Sequence, residues 1–297
     1  MRLHSVWTVA LGATLLLTTS ASGQDKGAEI KYKFRKGDVL KYDVTSSLDV
    51  SQVGTHPNFL MNGNDKPLSW AVNGSFENKV VEVNEADGAA QLERTVKSIT
   101  STGHVQDEKF KLSWSEEKDK AKPDENKLAS LMDRLVASMI ANPVKYSVDT
   151  EGKSTFQFPD LGRLVMRRGM MTWPIRPSEM SWTTTEEIAV PVLHDKIKLE
   201  FKNTVTQDAT RTGYKARIIT ATPSLKSAEK TPGFGYDNLT FAVSGQAKAE
   251  FDMTNGRLAK LELDLTIRFS GKGQVGDGGE GDIKGVATYK ETQVYKD

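Results

Sequence analysis

Apolar and polar residues alternate along most of this chain, with the period of two that puts every second side chain of a strand on one face of a sheet. Leu40, Tyr42, Val44, Leu48 and Val50 share a phase, as do Leu68, Trp70, Val72, Phe76 and Val80. Ile197, Leu199, Phe201 and Val205 repeat the pattern. So do Leu239, Phe241, Val243, Ala247, Ala249 and Phe251, and then Leu261, Leu263, Leu265, Ile267 and Phe269. The opposite phase carries Lys, Glu, Thr and Ser, so one face of each strand meets core and the other meets water. That belongs to antiparallel sheets, because strands covered on both sides read as unbroken apolar runs. Turn signals punctuate the strands at Asp87-Gly88, at Asn255-Gly256 and in the VDTEGK segment at 148–153. In the last two an Asp (Asp252 or Asp149) stands ahead of a Gly, the chemistry of a tight hairpin. One such turn in each half hints at an internal duplication.

Several of these strands run to a dozen residues or more, roughly 40 Å at about 3.3 Å per residue, and strands of that length must twist and coil. Gly74, Gly245 and Gly285 interrupt strand interiors, which points to a bend, a bulge or the close approach of another element. One segment breaks the period. LASLMDRLVASMI places Leu128, Leu131, Met132, Leu135 and Met139 at helical spacing, with Pro123-Asp124 suited to its start and Asn142-Pro143 to its end. The expectation is a mainly β fold: one long, curved, half-barrel-like antiparallel sheet, or two similar halves, with an amphipathic helix over 124–142 on the concave face. The chain then divides into an N-terminal β half (24–158, including the helix), a connector (159–182) with two prolines in WPIRPSEMSW, and a C-terminal β half (183–297), together one continuous domain. A shorter helical pattern at 161–171 holds Met166, Arg167, Arg168, Met170 and Met171, readable as a core segment or as a partner surface.

Residues 1–23 change the expected compartment. Arg2 precedes an apolar stretch from Val6 to Leu17 and then small residues, with cleavage expected near Ala21–Gln24. This is a secretory signal, too short to span as a helix. The expected location is periplasmic or extracellular, with no transmembrane segment in the mature chain. There are no cysteines, so disulfide and thiol chemistry are excluded. Only Arg2 among the charges lies in the signal, which leaves 40 − 1 = 39 basic against 39 acidic residues. A balanced chain has no overall electrostatic drive toward nucleic acid.

Catalytic signatures are sparse. His56, His104 and His194 lie far apart without metal-ligand spacing. Gly271, Gly273 and Gly276 match G-x-G-x-x-G as a string, but a phosphate-binding version needs a strand opening into a helix, and here a Gly-rich loop leads into another strand. Asp277, Glu280 and Asp282 in that loop read as a solvated acidic turn more readily than as a Ca²⁺ site. The sequons at Asn73 and Asn238 fall in expected strands. No cofactor is expected.

The order of YKFRKGDVLKYDV, the VDTEGK hairpin, WPIRPSEMSW and FDMTNGRLAKLELDL resembles a group of uncharacterised exported bacterial proteins that share a domain of unknown function. The curled sheet with one helix also resembles, at the level of fold, the half-barrels of periplasmic lipoprotein carriers. The resemblance implies a fold and no established activity. A curved sheet with one apolar face and one helix leaves a concave surface, a natural site for an apolar ligand. The candidate lining is Trp70, Val72, Phe76, Met132, Leu135, Phe241, Val243, Leu263 and Leu265. The leading expectation is a non-enzymatic envelope protein binding a hydrophobic small molecule or lipid. The alternative is a structural or assembly factor meeting an envelope protein partner through its outer face or strand edges.

Overall fold

The computed structural model describes residues 30–54, 68–105, 108–129, 131–154, 173–176, 178–189, 196–229, 240–275 and 279–296. The signal segment, His56, His194, the 161–171 pattern, Asn238, Leu239, Gly276 and Asp277 fall outside these residues.

Among the described residues, eleven strands make one antiparallel sheet. A first meander runs through β1 (Val39–Gly54), β2 (Leu68–Val83), β3 (Ala90–Val105) and β4 (Glu108–Ser115). The short β5 (Val144–Val148) pairs with residues 90–94 of β3, on the edge whose other end holds β4. A second meander comprises β6 (Ser181–Ala189), β7 (Lys196–Arg211), β8 (Tyr214–Glu229), β9 (Thr240–Asp252), β10 (Arg257–Val275) and β11 (Gly279–Lys296). The spatial order is β4-β3-β2-β1-β11-β10-β9-β8-β7-β6. First and last long strands pair from Lys41↔Lys296 to Gly54↔Ile283, which fuses the two meanders.

The register carries each strand's apolar phase into its neighbour. Leu48 lies opposite Trp70 on one side and Tyr289 on the other. Tyr289 lies opposite Leu265, and Leu265 opposite Gly245. The alternating sets therefore fall on one continuous face, where Val50, Ile197, Leu199, Phe251 and Leu258 are fully buried. Each such side chain contributes about 1.5–3 kcal/mol of burial. Strands this long twist, and bulges at Ser75/Phe76, Val205/Gln207 and Leu258/Lys260 shift the register and add local twist. The interior glycines answer to close approach. A Cβ on Gly245 would sit 2.0 Å from the Asp264 carbonyl oxygen, and one on Gly285 2.1 Å from the Phe269 ring.

The helix is shorter than its spacing predicts. Asp124 caps a single 3-10 turn, Glu125–Lys127, by accepting the Asn126 N–H, and Leu128 then leaves in extended conformation. The α-helix α1 covers Leu131–Ala141 and stops before Pro143, which has no N–H to continue it. Val136, Met139 and Ile140 share one buried cluster with Ile99 of β3 and Phe110, Leu112 and Trp114 of β4, and that cluster continues to Trp70 and Phe76, so α1 sits on the apolar face against β3 and β4 of the first meander.

The two Asp-Gly turns match in chemistry but not in position. Asp149 Oδ1 accepts from Glu151 and Lys153, and Asp252 Oδ1 from Thr254 and Asn255. One follows β5 at the sheet's outer edge, with its second arm reduced to a single Val148↔Ser154 bridge; the other joins β9 to β10 inside the sheet. One short segment ties both. The Tyr32 N–H donates to Thr150 O at 2.9 Å and the Lys33 N–H to Gly256 O at 2.8 Å. The Tyr32 hydroxyl donates to the Trp173 carbonyl (3.1 Å) and accepts the Trp173 N–H (2.9 Å). Burial raises the Tyr32 phenol above its ordinary pKa, which keeps that donor protonated. The end of the expected connector is thus core: Trp173 and Ile175 are buried, Trp182 lies in β6, and Asn203, fully buried, accepts from the Trp173 indole and donates to Phe201 O and Thr184 Oγ1.

Candidate functional site

The apolar face has two unlike parts. Over the first meander it is packed: Trp70, Val72 and Phe76 are buried in the cluster that α1 joins, and Leu135 is half-buried against the same cluster. Trp70 also donates its indole N–H to Ser101 Oγ. The Met132 side chain lies outside the described residues. Over β9 and β10 the face is more open. Phe241, Val243 and Leu263 are half-buried, while Leu265 between them is 1 % exposed. The expected lining therefore does not surround one hollow. Trp70, Val72, Phe76 and Leu135 fill the core under the helix, and Phe241, Val243 and Leu263 line a section of the sheet that α1 does not reach.

Between the two parts runs a polar seam. Ser46, Glu291 and Gln293 point to the apolar side and are at most 5 % exposed. The Glu291 carboxylate accepts from the Tyr289 hydroxyl and from the Gln293 amide. Ser46 Oγ and Gln293 Oε1 have no hydrogen-bond partner among the described residues. Ser46 lies directly across from Glu291, and Glu291 directly across from Leu263. The other buried amides are satisfied: Asn203 as above, and Asn78 by the Tyr146 hydroxyl at 2.9 Å. The seam was legible as polar residues in the apolar phase. Ser46 interrupts Tyr42, Val44, Leu48 and Val50, while Glu291 and Gln293 continue Ala287 and Tyr289. Tyr32, Trp173 and Asn203 carried no such signal, since their partners lie far away in the chain.

A cleft of about 570 Å³ lies over the ends of β9, β10 and β11, lined by Arg268, Lys284 and small residues of the outward phase and also by Phe241 and Phe269 of the apolar phase. Buried Arg94 lies over the Phe76 ring, and desolvation pulls its pKa down to about 10, so it stays a cation at neutral pH. Among the described residues no group of three or more His, Asp or Glu side chains has the geometry to hold a metal, and no helix is long and apolar enough to cross a membrane.

Fold and face together define a mainly β protein with, among the described residues, a single antiparallel sheet with one apolar side and one short α-helix. No protein-family model matches the chain, so the resemblance carried by its motifs has no family assignment behind it. No curated protein matches it either. Among solved structures it is similar to lipovitellin, in a structure describing lipid–protein interactions, at 11 % identity and a TM-score of 0.48 over 89 % of this chain and 26 % of that one. The chain thus spans about a quarter of the lipovitellin chain's length. It is also similar to an outer membrane channel from Pseudomonas putida F1, at 8 % identity and a TM-score of 0.22, covering 89 % of this chain and 97 % of that one.

Proposed function

We propose that this protein is a non-enzymatic binder of a hydrophobic or lipid-like ligand, working outside the cytoplasm, with the β9–β10 section of its apolar face as the contact surface. The observation that carries the reading is the half-burial of Phe241, Val243 and Leu263 on the apolar face of β9 and β10. Apolar side chains left partly wet gain by meeting an apolar partner, at about 25 cal/mol for each Å² covered. The neighbouring seam sets the polarity of the ligand's other end. A carboxylate at Glu291 and an unpaired carbonyl oxygen at Gln293 favour a group that donates hydrogen bonds.

The test is a titration with a solvatochromic hydrophobic dye. Wild-type protein is expected to bind it saturably, and Val243→Asp to bind about tenfold or more weakly, because a carboxylate on the contact surface must be desolvated unpaired. Since Val243 is only half-buried, the variant is expected to keep the wild-type circular dichroism spectrum. No saturable binding by the wild type, or equal binding by a folded Val243→Asp, sinks the reading.

A further inference from the structure

The outward face of the sheet is mostly a ladder of matched charges. Lys290 meets Asp264 at 3.7 Å, Lys296 meets Asp43 at 2.9 Å and Lys226 meets Glu200 at 2.9 Å. The pattern breaks at the ends of β9, β10 and β11. Arg268 lies between Ala242 and Val286 in one cross-strand row, and Ser270 lies between Thr240 and Lys284 in the next. These two rows, together with Phe241 and Phe269, line the cleft of about 570 Å³, a volume suited to a small organic ligand. Neither Arg268 nor Lys284 makes an ion pair with any described residue. Asp282, two positions along the strand from Lys284, pairs with neither. Two cations one row apart repel each other, and a shared anion offsets that cost.

We infer that this cleft is a second binding site, centred on the outward cations and bordering the apolar face at Phe241 and Phe269, for a small amphipathic anion whose phosphate or carboxylate head bridges Arg268 and Lys284 while its apolar part lies over Val286, Ala242 and Phe241. The guanidinium supplies the forked, two-point contact that such heads accept, and the ammonium supplies a second point charge. The small side chains of Ala242 and Ser270 leave the space between them. The hydroxyls add no charge: Thr240 donates to the Ser270 carbonyl at 3.0 Å, so it is already engaged.

Calorimetric titration of the full chain tests this with four probes: decyl phosphate, decanoate, inorganic phosphate and decanol. Decyl phosphate and decanoate are expected to bind, with affinity falling as salt rises. Arg268→Gln and Lys284→Gln are each expected to weaken both by about tenfold or more, the worth of one charge-assisted contact. Inorganic phosphate is expected to bind more weakly than decyl phosphate; equal binding of the two overturns the amphipathic ligand in favour of a bare anion site. Decanol binding as tightly as decanoate, or Arg268→Gln binding decanoate like the wild type, overturns the inference. Val243→Asp separates the two sites, since it is expected to leave the Arg268-dependent binding intact. A decanoate response lost in Val243→Asp and kept in Arg268→Gln assigns the ligand to the apolar face and overturns the second site. Both cations are on the outward face, so their substitution leaves the core unchanged.

Discussion

Replacing Tyr32 with alanine is expected to lower the unfolding free energy by about 4 kcal/mol, in line with other deletions of a buried aromatic ring. The side chain is 3 % exposed, stands edge-on to Phe251 with ring centroids 5.1 Å apart, and stacks on Phe34 at 5.9 Å. Its hydroxyl serves both backbone groups of Trp173. Tyr32→Phe keeps the ring and removes only the hydroxyl, stranding a buried carbonyl and a buried N–H, and is expected to cost about 1–3 kcal/mol. Denaturant unfolding of the three proteins separates ring from hydroxyl. If Tyr32→Ala unfolds at the wild-type midpoint, residues 30–34 do not brace the two turns.

The second large effect is expected at Gly245, in the middle of β9. Its φ is +140°, and an added Cβ would lie 2.0 Å from the backbone carbonyl oxygen of Asp264 on the paired strand. A methyl there must move backbone rather than a side-chain tip, so Gly245→Ala is expected to cost on the order of 3 kcal/mol, backbone strain and overpacking together. Gly213, in the β7–β8 turn, is the control. Its φ is +88°, but nothing lies within 4 Å of the position a methyl would take, so Gly213→Ala is expected to cost only about 1 kcal/mol, the strain alone. Equal losses at the two sites, measured by denaturant unfolding, contradict the close packing of β9 on β10.

The sheet was readable because its information is local. Period-two alternation names the apolar face strand by strand, and Leu261 to Phe269 fall on it as expected. The order of the strands was not readable in the same way. Pairing of β1 with β11 joins residues about 250 apart, and no local pattern encodes that contact. The helix is shorter than expected because Pro123 and Asp124 are good start signals for either a 3-10 turn or an α-helix, and only the extended backbone at Leu128 distinguishes them. WPIRPSEMSW reads as a connector because prolines punctuate it, yet Trp173 and Ile175 fill the core. The candidate site was half legible. Apolar phase marks Trp70 and Phe241 alike, but what covers each depends on where α1 lies, a tertiary fact. The polar seam is present in the phase of Ser46, Glu291 and Gln293 and needs only a reading of the polar residues with the same care as the apolar ones.

If the protein holds an apolar ligand as proposed, the β9–β10 section is where it sits. Solvent extraction of the native, purified protein followed by mass spectrometry tests that most directly, with Val243→Asp purified in parallel as the control for lipid carried over from membranes. An apolar or lipid species is expected from the wild type, depleted in the variant. An extract free of such species, or one recovered equally from both proteins, contradicts a ligand-binding role for this face.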